Sequence, residues 1–278
     1  MSMDYAIING KLIEAGEAAL LVNDLSIQRG YGIFDFFKVV DGEPVFLGEH
    51  LDRFYASAAK MRLEPSVTRA QLISDIHTLL AKNNVPESGI RLTLTGGYSE
   101  DGYSQSDPNL VITQSALSLN RELPAGMSII THEFQRQLPQ VKTIDYLMAI
   151  WLQPLIKQSG AADVLYHSGG NITECPRANF FIVTSDGEIA TPKENILAGV
   201  TRAHVIKLAG RKYNVRERDI HLSELEDASE AFITSTTKHV LPVTEINGKK
   251  VGDGRAGEIT TWLSDAYNQL VFPAKLSK

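Results

Sequence analysis

The sequence predicts a mixed α/β (or α+β) protein of two domains, and three observations carry that expectation. The first third alternates short β-branched runs with hairpin turns around two amphipathic stretches. Beyond residue 127, strand-like and helix-like segments alternate. Between them, Ala116 to Gly126 (Ala-Leu-Ser-Leu-Asn-Arg-Glu-Leu-Pro-Ala-Gly) reads as a linker. The expected division is 1–115, linker 116–126 and 127–278, with a cleft between the domains, and 278 residues are enough for two cores.

Taken in order, Tyr5 to Ile8, Asn9-Gly10 and Lys11 to Ile13 form a hairpin with a favoured two-residue turn. Phe34 to Val40, Asp41-Gly42 and Glu43 to Leu47 form a second. A helix is expected from Glu49 to Met61. Another follows Thr68, which with Gln71 makes a capping-box pattern, and runs to about Asn83. Strands at Ile90–Thr95 and Asn109–Gln114 flank a glycine-bearing polar loop, Gly96 to Ser104, of the kind that often carries function. In the second domain the expected elements begin with strand Ser128–Thr131, helix Asp145–Gln158, and strands Asp163–Tyr166 and Phe180–Val183. A helix Thr201–Ala209 with a glycine cap at Gly210 comes next. Strands Val215–Arg218, Ala231–Thr234 and Leu241–Ile246 then precede a last helix, Gly257 to Gln269.

Composition narrows the function classes. The chain is 43% apolar and 22% charged, with 27 basic against 33 acidic residues and a net charge of −6, which argues against non-specific nucleic-acid binding. No apolar run approaches the roughly 20 residues that span a bilayer. The start, Met1-Ser2-Met3-Asp4-Tyr5, lacks a signal-peptide pattern. Cys175 is the only cysteine, so no intrachain disulfide forms, and no zinc spacing is present. The expectation is a cytoplasmic protein with no nucleic acid, membrane or metal partner.

Four segments and one arginine supply the chemistry. Lys142, in Val-Lys-Thr-Ile-Asp-Tyr-Leu, is an amine at the edge of an apolar helix, where burial lowers an ammonium pKa. Glu174, just ahead of Phe180 to Val183, is a carboxylate placed to keep a pyridine nitrogen protonated. Gly199-Val200-Thr201-Arg202 opens a helix whose free N–H groups and hydroxyl suit a phosphate. Ser235-Thr236-Thr237 ends a strand with further hydroxyls, and Arg53 offers a charge-assisted phosphate contact. Each alone is as readily a cap, a turn or a solvated side chain. Together they are what a pyridoxal 5′-phosphate site needs.

The ordered set Gly30-Tyr31-Gly32-Ile33-Phe34-Asp35, His50-x-x-Arg53, Val141-Lys142-Thr143, Thr173-Glu174 with Asn179-Phe180, Thr191-Pro192 with Leu197 to Arg202, and Ser235-Thr236-Thr237 with Pro242-Val243 resembles the class IV aminotransferases. These are fold-type IV pyridoxal-phosphate enzymes and include D-amino-acid aminotransferases, branched-chain aminotransferases and aminodeoxychorismate lyases. The resemblance implies a homodimer with the cofactor in the interdomain cleft and Lys142 as Schiff-base lysine and proton shuttle. It implies Glu174 at the pyridine nitrogen, Leu197 on the ring face, and Arg53, Val200, Thr201, Ser235 and Thr236 around the phosphate.

The chain also departs from the pattern. Asp35 is followed by the bulky pair Phe36-Phe37, and Cys175 stands where a small residue is usual; a buried, inert thiol is expected there. Thr95-Gly96-Gly97 lacks the arginine that grips substrate carboxylate in similar D-amino-acid enzymes, and Phe34 replaces a tyrosine. A buried carboxylate still needs a cation. Arg29 (from either subunit of a dimer), Arg177 and Arg91 are the candidates, against a structural role in ion pairs. Phe34, Lys38 and Thr237 are further substrate-side candidates. Lys38 and the arginines incline the reading to D-amino acids. An apolar pocket around Phe34, Phe36 and Phe37 would suit branched-chain L-amino acids. The Gly102-Tyr103-Ser104 loop resembles that of the lyases, and a binding module without cofactor is the reading from another class.

Overall fold

A computed structural model describes residues 4–272 of the chain; the ends of the expected domain limits, 1–3 and 273–278, and the first three residues of the N-terminal pattern lie outside them. Among the described residues two compact units emerge: 4–119 with Val141–Asp145, and Asn120–Gln140 with 146–272. The expected linker 116–126 spans the first boundary. The grouping departs from the expectation at Val141–Asp145, which falls with the first unit although its sequence neighbours on both sides belong to the second.

The first unit contains β1 (Tyr5–Ile8), β2 (Lys11–Glu14), α1 (Leu25–Arg29), β3 (Gly32–Val40), β4 (Glu43–Pro44), α2 (Leu47–Lys60), α3 (Arg69–Asn83), β5 (Ser88–Thr95) and β6 (Leu110–Ala116). Its sheet has the order β2-β1-β6-β5-β3-β4, with every pair antiparallel. Asn9 and Gly10, and likewise Asp41 and Gly42, both take positive φ, as tight hairpin turns require. Alternate residues of β3 separate two faces. Ile33, Phe37 and Val39 pack with Leu51, Phe54 and Ala58 of α2 and Leu72, Ile76 and Leu79 of α3 in one core. Phe34, Phe36 and Lys38 take the opposite face, where the register sets Phe34 beside Thr93 and Phe36 beside Arg91.

Three details differ from the sequence reading, the first being that the strand expected over Glu43 to Leu47 ends at Pro44 and Leu47 already begins α2. Helix α1 was not expected from five residues; Asp24 caps its start through Ser26 N, and Gly30 closes it in the left-handed region. The capping box of α3 is half made: Thr68 Oγ1 accepts from Gln71 N, while the Gln71 side chain turns forward to Asp75.

The second unit contains β7 (Met127–Glu133), α4 (Leu147–Trp151), α5 (Gln153–Ser159), β8 (Asp163–Ser168), β9 (Asn171–Ile172), β10 (Glu174–Cys175), β11 (Ala178–Val183), β12 (Ile189–Thr191), α6 (Val200–Ala209), β13 (Val215–Glu217), β14 (Glu230–Ser235), β15 (His239–Ile246), β16 (Lys249–Lys250) and α7 (Glu258–Val271). Its mixed sheet runs β13-β12-β11-β14-β15-β7-β8-β9, with β10 on β11 and β16 on β15. The core gathers Phe180, Ile182, Ile233, Leu165, Ile129 and Val243, among others.

The single helix expected over Asp145–Gln158 is two short ones instead. Pro154 lies in the first turn of α5, the place where its missing N–H costs nothing, so a new helix starts there. Gly210 does cap α6, but at φ −62, so its glycine freedom is not what ends the helix.

Candidate active site

Lys142 is positioned by its backbone. Phe34 N donates to Lys142 O at 2.9 Å, Ile144 N donates to Gly32 O at 3.1 Å, and Ile33 and Thr143 form a bridge. The segment therefore adds a short antiparallel edge to β3, with Val141 sealed in the core. Lys142 N also points to Ser57 Oγ of α2 at 3.4 Å. This stitching is why the segment groups with the first unit. Lys142 itself is half-buried, its Nζ 4.4 Å from the centre of the Phe34 ring. The Arg91 guanidinium lies 3.8 Å from the same centre. The π-face of Phe34 thus meets the Lys142 amine and the Arg91 guanidinium, where a tyrosine would also offer a hydroxyl.

Behind β3, Asp35 is fully buried and ties together two residues of α2. Arg53 binds it as a fork, Nε to Oδ2 and Nη2 to Oδ1, both at 2.8 Å. His50 Nδ1 lies 2.7 Å from Oδ1. A carboxylate oxygen accepts, so Nδ1 is a proton-bearing ring nitrogen. Burial first, with the Arg53 and Lys142 charges, lowers the pKa of His50 against the opposing pull of Asp35. Burial alone would raise the Asp35 carboxyl; the Arg53 charge and the hydrogen bonds from His50 and Arg53 hold it well below the usual carboxylate range. Arg53 is thereby fixed in one orientation, with Nε and Nη2 occupied by Asp35.

Glu174, in the second unit, is 4% exposed and surrounded by donors. Arg136 Nη1 reaches Oε1 at 2.7 Å; Leu197 N and Asn179 Nδ2 reach Oε2 at 3.0 and 3.2 Å. Asn179 Nδ2 also donates to Leu197 O at 2.8 Å, clamping the backbone of the 197–199 loop onto β11. Gly199 completes the clamp, because a Cβ there would lie 2.0 Å from Asn179 Oδ1. Gly199 then N-caps α6 without any side-chain cap, and the first turn carries no acidic residue. Its backbone N–H groups form a site suited to an anion. Thr201 Oγ1 is buried beside Tyr267 Oη at 3.2 Å.

Ser235 and Thr236 are half-buried at the end of β14, where Ser235 Oγ accepts from Lys238 N at 3.1 Å. Lys238 is in turn paired with Asp163. Thr237 is exposed, as are Arg29, whose Nη1 donates to Gln28 O, and Arg177, in the turn between β10 and β11. Lys38 is 1% exposed, and burial lowers its pKa to about 7. Burial pushes the Cys175 thiol up, and it lies wholly inside, where it is inert.

The sequence reading missed Arg136. No local pattern marks it, since it sits in a loop 38 residues before Glu174. The signal available was indirect: a carboxylate expected to be buried needs a cation, and Arg177, the nearest in sequence, is exposed.

The donor sets fit a phosphorylated pyridine. A helix start without an acid suits the phosphate, and a buried carboxylate met by three described donors suits the ring nitrogen. No helix among the described residues is long and apolar enough to cross a membrane. Comparisons with known proteins agree with this chemistry. The D-alanine aminotransferase of Listeria innocua is 31% identical over 272 residues, covering 94% of both chains. That of Staphylococcus haemolyticus is 30% identical over 279 residues, covering 97% of this chain and 98% of its own. Among solved structures, the Escherichia coli branched-chain amino acid aminotransferase superposes with a TM-score of 0.89 at 25% identity, covering 96% of this chain and 94% of its own. The branched-chain aminotransferase of Thermoproteus uzoniensis with norvaline gives 0.87 at 24% identity, covering 99% and 97%, which speaks to the fold alone. The sequence profile of amino-transferase class IV matches residues 32–246, which contain Lys142, Glu174 and both hydroxyl clusters. The chain belongs to that family, with its two-domain fold-type IV architecture, and is an aminotransferase.

Proposed function

We propose that this enzyme exchanges amino groups between D-amino acids and 2-oxo acids with one pyridoxal 5′-phosphate. In this reading Lys142 carries the cofactor, Glu174 faces its ring nitrogen and Leu197 packs on its ring. Arg53, Val200, Thr201, Ser235 and Thr236 hold its phosphate. When bound, the cofactor supplies a ring that accepts the electrons left on the substrate α-carbon. Lys142 Nζ takes the α-proton and gives it back, a general-base role for an amine seated on Phe34. Glu174 keeps a negative charge beside the ring nitrogen. The Asp35 fork holds Arg53 in place before the phosphate arrives, so little ordering cost falls on binding.

The observation that carries the cofactor reading is the buried Glu174 carboxylate met by a cationic donor and two neutral ones, since a burial so fully supported serves an anion. The D-amino-acid preference rests on the D-alanine aminotransferases of Listeria innocua and Staphylococcus haemolyticus, 31% and 30% identical to this chain. Arg91, Arg29 and Arg177 are the proposed holders of the substrate carboxylate, with Phe34, Lys38 and Thr237 lining the substrate side. A homodimer in the cytoplasm completes the proposal. The second reading, a branched-chain L-amino-acid enzyme, draws support from the Phe34–Phe36 face beside Arg91.

The test adds D-alanine, D-glutamate, L-leucine and L-glutamate separately to the cofactor-loaded enzyme and follows its visible absorption band. Bleaching with the D-amino acids alone is expected. Bleaching with L-leucine would replace this reading with the branched-chain one, and pyruvate release from aminodeoxychorismate without an amino acceptor would establish a lyase. Arg91→Ala and Arg177→Ala are expected to raise KM about 10- to 100-fold, the worth of one hydrogen bond to a charge. An unchanged KM removes that arginine from the site.

A further inference from the structure

We infer that Arg136 is a positioning residue of the reaction, whose charge keeps the proton between Glu174 and the cofactor's ring nitrogen on the nitrogen. The inference rests on the proposed placement of Glu174 and adds what that placement by itself leaves undecided. A buried carboxylate and a pyridine nitrogen compete for one proton. Burial favours the neutral carboxylic acid, which would take the proton and leave a neutral ring, a poor electron acceptor.

All three donors described at Glu174 favour its ionised form, and Arg136 alone among them adds a full charge. Leu197 N and Asn179 Nδ2 are neutral; they orient the carboxylate and fasten the 197–199 loop. Arg136 brings a full charge to Oε1 at 2.7 Å, with 14% of its side chain exposed and 5% of the Glu174 side chain. At that range and burial the attraction is weakly screened. It lowers the basicity of the carboxylate it touches more than that of a ring nitrogen on the carboxylate's far side, so the proton goes to the ring.

The guanidinium is itself held. Nη1 also donates to Pro139 O at 3.2 Å, at the end of its own loop. Phe134 N donates to His167 O at 2.9 Å, and Gln135 Nε2 to Asn195 O at 3.3 Å, so the residues ahead of Arg136 are tied to β8 and to the loop before α6.

The test is the nitrogen-15 resonance of ring-labelled pyridoxal 5′-phosphate in the loaded enzyme, followed across pH. In Arg136→Met the resonance is expected to move from the protonated toward the unprotonated position, with kcat reduced and KM little changed. Arg136→Lys, which keeps the charge, is expected to restore most of the wild-type position. Arg136→Gln keeps a donor but no charge and is expected to follow the methionine variant, which separates charge from fold should either neutral variant load poorly. Glu174→Gln serves as the reference. A resonance that moves in Glu174→Gln but stays at the wild-type position in both neutral Arg136 variants overturns the inference alone. A resonance unmoved in Glu174→Gln overturns it together with the placement of Glu174, and locates the fault there.

Discussion

Each unit holds a buried arginine–carboxylate pair, and the two are built in opposite senses. In the first, Asp35 is fully enclosed between β3 and α2 and takes both Nε and Nη2 of Arg53. The acid is spent on orienting the base, and in the proposed function the arginine is the member that meets a ligand. In the second, Arg136 gives Nη1 to Glu174, and two neutral donors join it on the carboxylate. There the base supports the acid. The same ion pair is a bracket for a cation in one place and for an anion in the other, and which atom remains for chemistry depends on which partner is the more deeply satisfied.

Breaking the pairs separates stability from chemistry. The largest effect is expected from Asp35→Asn, which leaves Arg53 beside a neutral amide in the interior and costs about 3–5 kcal/mol of stability. Its pH signature has a definite sign. The native carboxyl titrates below its ordinary value of 3.8, so its contribution is fully present above that value and fades as pH falls beneath it. Denaturant unfolding at neutral pH and below pH 3.8 is expected to show the wild type losing this part of its stability and the asparagine variant having none to lose; parallel acid sensitivities would refute it.

Glu174→Gln sharpens the contrast. It keeps the shape of the site and lowers kcat on the order of 10²–10³-fold, the usual cost of removing one preorganised charge interaction. A urea midpoint lowered less than in Asp35→Asn is the expected pattern beside that kcat, since the described contacts give Glu174 one nitrogen of Arg136 where Asp35 takes two of Arg53. A stability loss as large as that of Asp35→Asn would mean that both pairs are structural. The smallest effect is a control. Thr68→Ala removes the cap of α3, remote from both pairs, and is expected to lower stability by about 1 kcal/mol with kcat and KM unchanged.

The sequence made the hairpins legible because Asn9-Gly10 and Asp41-Gly42 are local decisions: two consecutive positive φ values favour those residues. It made Lys142, Glu174 and the Gly199–Thr201 helix start legible because each is a short motif in a recognisable order. It misjudged the stretch 145–158, where Pro154 fits equally inside a helix start or as a break in a longer one, and packing chose the former. It did not reveal Arg136 or the half-made capping box, whose Gln71 finds a better partner one turn on in Asp75.

By itself, then, the chain determined its elements, its family and the order of its reactive groups, because periodicity, turn chemistry and motif spacing act over a few residues. Only the tertiary structure decided which charges meet. Val141–Asp145 joins β3 across roughly a hundred residues of chain, and Arg136 reaches Glu174 from a loop with no pattern of its own. The physical reason is that a buried charge needs a countercharge in space and places no requirement on where along the chain that countercharge lies.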